Sequence, residues 1–181
     1  MLPMIHSRSC PRCHAAVSRR GFLIGAAASG VLIAARPFDG LAAGGNYEAM
    51  VLACIDPRIQ EPVREYLATG GLTGKYSQFV IAGAAIGVVA DAFKDWHKAF
   101  WDNLAASIQL HNIKQVIAID HRDCGAAKIA YGADKVANAA AETATHRTAM
   151  TEFRKQVGTR FPQLGVETGL MALDGKMEMF S

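Results

Sequence analysis

Three residues of this chain carry atoms suited to a soft metal ion: Cys54, His121 and Cys124. Cys54 opens the run Cys-Ile-Asp-Pro-Arg, and the other two lie in His-Arg-Asp-Cys-Gly. Two thiolates and one imidazole suit Zn2+, and a three-residue set leaves a fourth coordination position open, as in catalytic rather than structural sites. Asp56 and Arg58 accompany Cys54. A guanidinium two residues from a carboxylate can grip it with a two-pronged contact. Two thiolates cancel the charge of a zinc ion, so water there is harder to ionise than on zinc held by neutral ligands. A carboxylate aimed at that water would favour its ionised form, and Arg58 would keep Asp56 charged and in place. The residues also permit a plainer arrangement. Cys54 and Cys124 could form a disulfide, with Asp56–Arg58 as a structural ion pair.

The elements that must position these residues follow from hydropathy. Met50 to Ile55, Phe79 to Ile81 and Val116 to Asp120 are short apolar runs and read as buried strands. Ile59 to Ala68 reads as a helix with Val63 and Leu67 on one face. Ala90 to Leu110 carries Phe93, Trp96, Phe100, Leu104 and Ile108 at helical spacing, and Asn112 stands where that helix could end. An alanine-rich stretch from about Ala133 to Val157 reads as a second long helix. Leu170 to Leu173 and Met177 to Phe180 flank Asp174-Gly175-Lys176, a hairpin pattern. Strands alternating with helices predict an α/β fold with a mostly parallel central sheet flanked by helices and a C-terminal antiparallel strand or hairpin. Cys54 then falls at the carboxyl end of the first strand, and His121 and Cys124 just past that of the third. Ligands gather beyond those ends in open α/β sheets.

Cys54-x-Asp56-x-Arg58 followed by His121-x-x-Cys124-Gly125 resembles the signature of the β-class carbonic anhydrases. His-Arg-Asp-Cys-Gly is similar to the His-Thr-Asp-Cys-Gly of the shorter, archaeal-type subgroup. The resemblance runs from about Val51 to the end of the chain. It implies Cys54, His121 and Cys124 as zinc ligands and Asp56–Arg58 as the catalytic dyad. It also implies reversible hydration of carbon dioxide to bicarbonate and a proton, and a homodimer or a multiple of dimers. Carbonyl sulfide or carbon disulfide hydrolysis on the same scaffold, or a non-catalytic zinc-binding module, are the alternative readings. The pattern departs from the family in three places. Pro57 replaces the usual serine, Ile81-Ala82-Gly83-Ala84 stands where the family has Arg-Asn-Ala-Gly, and the 67 residues from Cys54 to His121 exceed the short subgroup's spacing.

The amino terminus reads as an address. Ser18-Arg19-Arg20-Gly21-Phe22-Leu23 fits the twin-arginine export pattern, and 13 uncharged residues follow, from Leu23 to Ala35. Arg36-Pro37 ends the apolar run, and Gly40 to Ala43 offers small residues for cleavage. The expectation is a signal peptide over residues 1–43, passage through the twin-arginine translocase, and a zinc domain over 44–181 in the periplasm. Cys10-Pro11-Arg12-Cys13-His14 spells a haem-attachment motif but lies on the segment expected to be removed. The formal charge of +3 comes from that segment, since the residues after 40 include 14 basic and 15 acidic side chains. This excludes a basic nucleic-acid-binding surface. His97, His111 and His146 read as surface or satisfied core histidines rather than proton shuttles. Asp123 reads as support for the site or a cap for the following helix. Trp96, Phe100 and Trp101 read as core or interface.

Overall fold

The computed structural model describes residues 45–181. The expected signal peptide and the Cys10–His14 motif lie outside the described residues. Five strands form one sheet: β1 (Ala49–Ala53), β2 (Tyr76–Val80), β3 (Gln115–His121), β4 (Gly165–Met171) and β5 (Met177–Phe180). Their order is β2-β1-β3-β4-β5. The first four run parallel, and β5 returns antiparallel along β4. Every residue of β1 is buried, as is all of β3 after Gln115, which is the mark of strands covered on both faces. β2 is the half-exposed edge.

The helices are α1 (Gln60–Thr69), α2 (Ala85–Val89), α3 (Lys94–His111), α4 (Gly125–Tyr131) and α5 (Ala139–Arg160). Asn112 ends α3 in the left-handed conformation at φ 47°, its N–H donating to the Ile108 carbonyl, as the sequence suggested. The alanine-rich region is not one helix from Ala133. A 3-10 turn (Ala133–Val136) comes first, and Asn138 then caps α5 by accepting the Ala141 N–H at 3.0 Å. Asparagine competes well for that cap, worth about 1 kcal/mol, so the helix begins after it. α5 buries Glu142, His146, Ala149, Met150, Phe153 and Val157, a stripe at helical spacing.

Phe100 is fully buried and meets Phe79, Trp101 and Phe153 edge-on or tilted. Trp96 instead remains 40% exposed, stacked on Phe93. The short α2 packs against both α3 and α5. Gly87 within it is required, because a Cβ there would collide with the Ala82 carbonyl. No described helix is long and apolar enough to cross a membrane.

Candidate metal centre

The strand order reverses between β1 and β3, and the crevice at such a reversal is where open α/β sheets bind ligands. Ala53 pairs with Ile119, so the two carboxyl ends finish side by side. Cys54 follows β1, His121 ends β3, and Cys124 lies three residues further on. Their ligand atoms all lie within 4.8 Å of one another, and all three residues are buried. Three atoms about 2.0–2.3 Å from a shared zinc ion would stand roughly 3.5–3.8 Å apart, so the set is of the right size. Both cysteines are free thiols, not a disulfide.

The chemistry of the donors fits a cation. His121 Nδ1 lies 2.8 Å from the Arg122 carbonyl oxygen, which accepts a hydrogen bond from the Nδ1–H and leaves Nε2 as the lone-pair nitrogen. That Nε2 is buried and has no hydrogen-bond partner. The Gly83 N–H donates to Cys54 Sγ at 3.2 Å. Cys54 is held at about 4, far below an ordinary thiol, chiefly because Cys124 donates to it, with burial opposing and His121 and the Gly83 amide assisting. Cys124 moves in the opposite direction, its proton retained between two close sulfurs and by burial. Burial works against a charged His121, yet the neighbouring Cys54 thiolate outweighs it and raises its pKa. A buried site with a sulfur anion and an orphaned ring nitrogen favours positive charge.

Asp56 and Arg58 form beside this set, and the reason is local. Asp56 caps a 3-10 turn (Pro57–Ile59), its Oδ1 accepting the Arg58 N–H at 2.9 Å. Pro57 sits at the first position of that turn, where an N–H would have no partner, so the loss of a donor costs little. Arg58 donates from Nε to Asp56 Oδ1 at 3.0 Å and from Nη2 to Oδ2 at 2.7 Å, the expected two-pronged grip. These bonds from Arg58 bring Asp56 down to about 2. Asp56 Oδ2 stands 3.9 Å from His121 Nε2, so the carboxylate borders the three-residue cluster.

The structure decides between the two readings of Asp123, support for the site or a helix cap, and adds Glu142, which sequence reasoning missed. Asp123 does not cap α4. Its carboxylate accepts from Arg58 Nη1 at 2.7 Å and its carbonyl from Nη2 at 3.0 Å, with its own backbone at φ 57°. Glu142, buried on α5, accepts the Asp123 N–H and an Arg122 Nη1 bond at 3.3 Å. Its place could only be guessed from its position on the apolar face of an otherwise ordinary helix. A cleft of about 530 Å³, lined by Arg122, Asp123, Gly125, Asn138 and Glu142 among others, reaches Cys124. His97 and His111 are occupied elsewhere, at the Ala90 carbonyl (3.1 Å) and the Ser77 hydroxyl (2.9 Å).

Comparison with known proteins gives one consistent picture. A family model described as "Putative carbonic anhydrase" matches residues 45–161. An uncharacterized protein of Rickettsia conorii is 33% identical over 129 residues, 71% of this chain and 69% of the relative. The β-carbonic anhydrase CcaA superposes with a TM-score of 0.54 at 15% identity, over 91% of this chain and 96% of that one. One of two tetrameric β-carbonic anhydrases from Sordaria macrospora does so at 0.53 and 11% identity, over 90% and 95%. At such identities these structures speak to fold, which is the β-carbonic anhydrase fold.

Proposed function

The chain belongs to the carbonic anhydrase family, and from that premise we propose that it catalyses reversible hydration of carbon dioxide with a zinc ion held by Cys54, His121 and Cys124. The observation that carries the reading is the buried, unpartnered Nε2 of His121 facing two sulfurs within 4.8 Å. A zinc ion so held supplies Lewis acidity that ionises water near neutral pH.

The remaining work falls to side chains. Asp56 accepts a hydrogen bond from the attacking water and turns a lone pair toward carbon dioxide. With a pKa of about 2 it is far too weak a base to keep a proton at neutral pH, so its role is to orient. Arg58 holds that carboxylate in one geometry, and Asp123 holds the far side of the guanidinium. Ile55 and Val80, exposed just past β1 and at the end of β2, leave apolar surface at the same edge of the sheet for an apolar gas.

Metal analysis of the purified chain and stopped-flow carbon dioxide hydration test this reading. Stoichiometric zinc with hydration well above background is expected. Full zinc without hydration would leave a hydrolase of carbonyl sulfide or carbon disulfide, or a binding module, and assay with each of those gases separates the two.

We further propose export, on the strength of Ser18-Arg19-Arg20-Gly21-Phe22-Leu23 and the apolar run behind it. Replacing Arg19 and Arg20 by lysine is expected to hold the protein in the cytoplasm in fractionated cells. A homodimer or a multiple of dimers is the expected assembly, and light scattering on the purified protein measures it.

A further inference from the structure

Asp120 is an acidic residue inside β3, a strand buried throughout after Gln115, and it is only 1% exposed. Both of its oxygens are used. Oδ1 accepts the Ala85 N–H at 2.9 Å, and Oδ2 meets His146 Nδ1 at 2.8 Å. His146 is fully buried on α5, and its Nε2 has no partner among the described residues. A buried pair of this kind is a poor means of stabilisation, since well-packed apolar residues of similar volume do as well or better. Its contacts suggest what it does instead.

Ala85 follows two residues with positive φ, Gly83 at 81° and Ala84 at 46°. Ala84 combines that φ with ψ −111°, outside the small left-handed region open to L-residues. Such a residue is strained and persists only where its surroundings hold it. Two of the bonds around the turn are its own, Ala84 N–H to the Ile81 carbonyl and Ile86 N–H to the Gly83 carbonyl. The bond from Ala85 to Asp120 instead ties the turn to β3. The product of this conformation is the Gly83 N–H aimed at Cys54 Sγ. Gly83 is tightly bounded as well, since a Cβ there would stand 3.0 Å from that of Ala126.

We propose that Asp120 and His146 are positioning residues for the metal centre: His146 holds the Asp120 carboxylate, Asp120 clamps the Ala85 N–H, and the strained turn so held directs the Gly83 N–H onto the Cys54 sulfur. The pair thereby sets how strongly Cys54 donates to a metal. This rests on Cys54 being a ligand. A thiolate that loses an N–H bond becomes the stronger electron donor, and its charge transfer to a bound metal moves to lower energy.

The test uses Co2+ as the spectroscopic metal in the full chain, with His146→Leu and His146→Asn. The asparagine amide nitrogen can take the position of Nδ1 and keep the donor to Asp120, whereas leucine removes it. His146→Leu is expected to bind cobalt with the thiolate charge-transfer band shifted to longer wavelength, and with affinity at neutral pH reduced about 10- to 100-fold because the freed sulfur is no longer held in place and keeps its proton more tightly against the metal. His146→Asn is expected to restore both. A His146→Leu protein with the parent's band and affinity, only lower in Tm, would overturn the proposal, because a merely structural role moves nothing else. If His146→Leu does not fold, amide hydrogen exchange of the parent decides. Protection of Gly83 and Ala85, deepened at Gly83 by Cd2+, supports the proposal, and free exchange at either amide overturns it. A parent chain that gives no thiolate–cobalt band would instead remove the metal-centre reading itself, together with this one.

Discussion

Two carboxylate–base pairs flank the Cys54–His121–Cys124 cluster, and they differ in almost every physical respect. Asp56–Arg58 is a local pair, two residues apart, with an Arg58 side chain 45% exposed. Asp120–His146 joins β3 to α5 across 26 residues and is sealed from solvent. The exposed pair borders the cluster on the side where, on the proposed reading, a substrate arrives. The sealed pair reaches the cluster through the turn behind Cys54. A carboxylate that must meet water has to remain partly wet, and a cation partner then keeps it ionised. A carboxylate that only holds backbone can be dry, provided each oxygen is satisfied. On the proposed reading, burial separates the residue that orients the reacting water from those that place the ligands.

The largest expected effect removes what both pairs serve. Cys124→Ala should abolish zinc retention and bring hydration to the uncatalysed background, as read by metal analysis and stopped-flow on the same preparation. Next, Asp56→Asn should cut turnover about 10²–10⁴-fold with zinc still bound. Zinc lost together with activity would mean that the exposed pair places ligands too, and the contrast would fail. Third, Asp120→Leu should lower stability by about 3–5 kcal/mol in urea unfolding, since one partner of a buried pair is stranded. Asp56→Asn should change stability at neutral pH by no more than about 1 kcal/mol.

The fourth prediction concerns acid. Arg58 lowers Asp56 from 3.8 to about 2. A depressed carboxylate contributes stability that is complete above its unfolded pKa and drains as pH falls through the folded one. The parent should lose this contribution between about pH 4 and pH 2, and Asp56→Asn should show a shallower loss in unfolding curves over that window. The smallest effect belongs to Asp123, whose side chain is 75% exposed. Asp123→Asn should reduce turnover by no more than about fivefold, the scale of a solvent-screened ion pair.

Much of the site was legible because its parts are local. Cys-x-Asp-x-Arg is five residues long, and a proline at the first position of a tight turn fits the cap that Asp56 makes. The apolar runs predicted all three strands that matter, and Asp174-Gly175-Lys176 predicted the hairpin, where Gly175 sits at φ 86°. What escaped were residues defined by distant partners. Nothing near Glu142 indicates that it will receive the Asp123 N–H. His146 looked like an ordinary helical histidine, and Asp120 like the polar end of a strand. The break before α5 was missed because alanine propensity runs straight through it, while the decisive cap is a single asparagine.

By itself, the amino-acid order determined the donor atoms, the Asp56–Arg58 grip and the strand ends on which the donors stand, since each depends on contacts within a few residues. Only the tertiary structure decided that β1 and β3 are neighbours with Ala53 beside Ile119, which brings Cys54 to His121 across 67 positions. It alone decided that a dry carboxylate would tie β3 to the turn behind Cys54. Parallel pairing joins strands through long crossovers, so its register is set by the packing of the whole sheet and its helices rather than by any short stretch of chain.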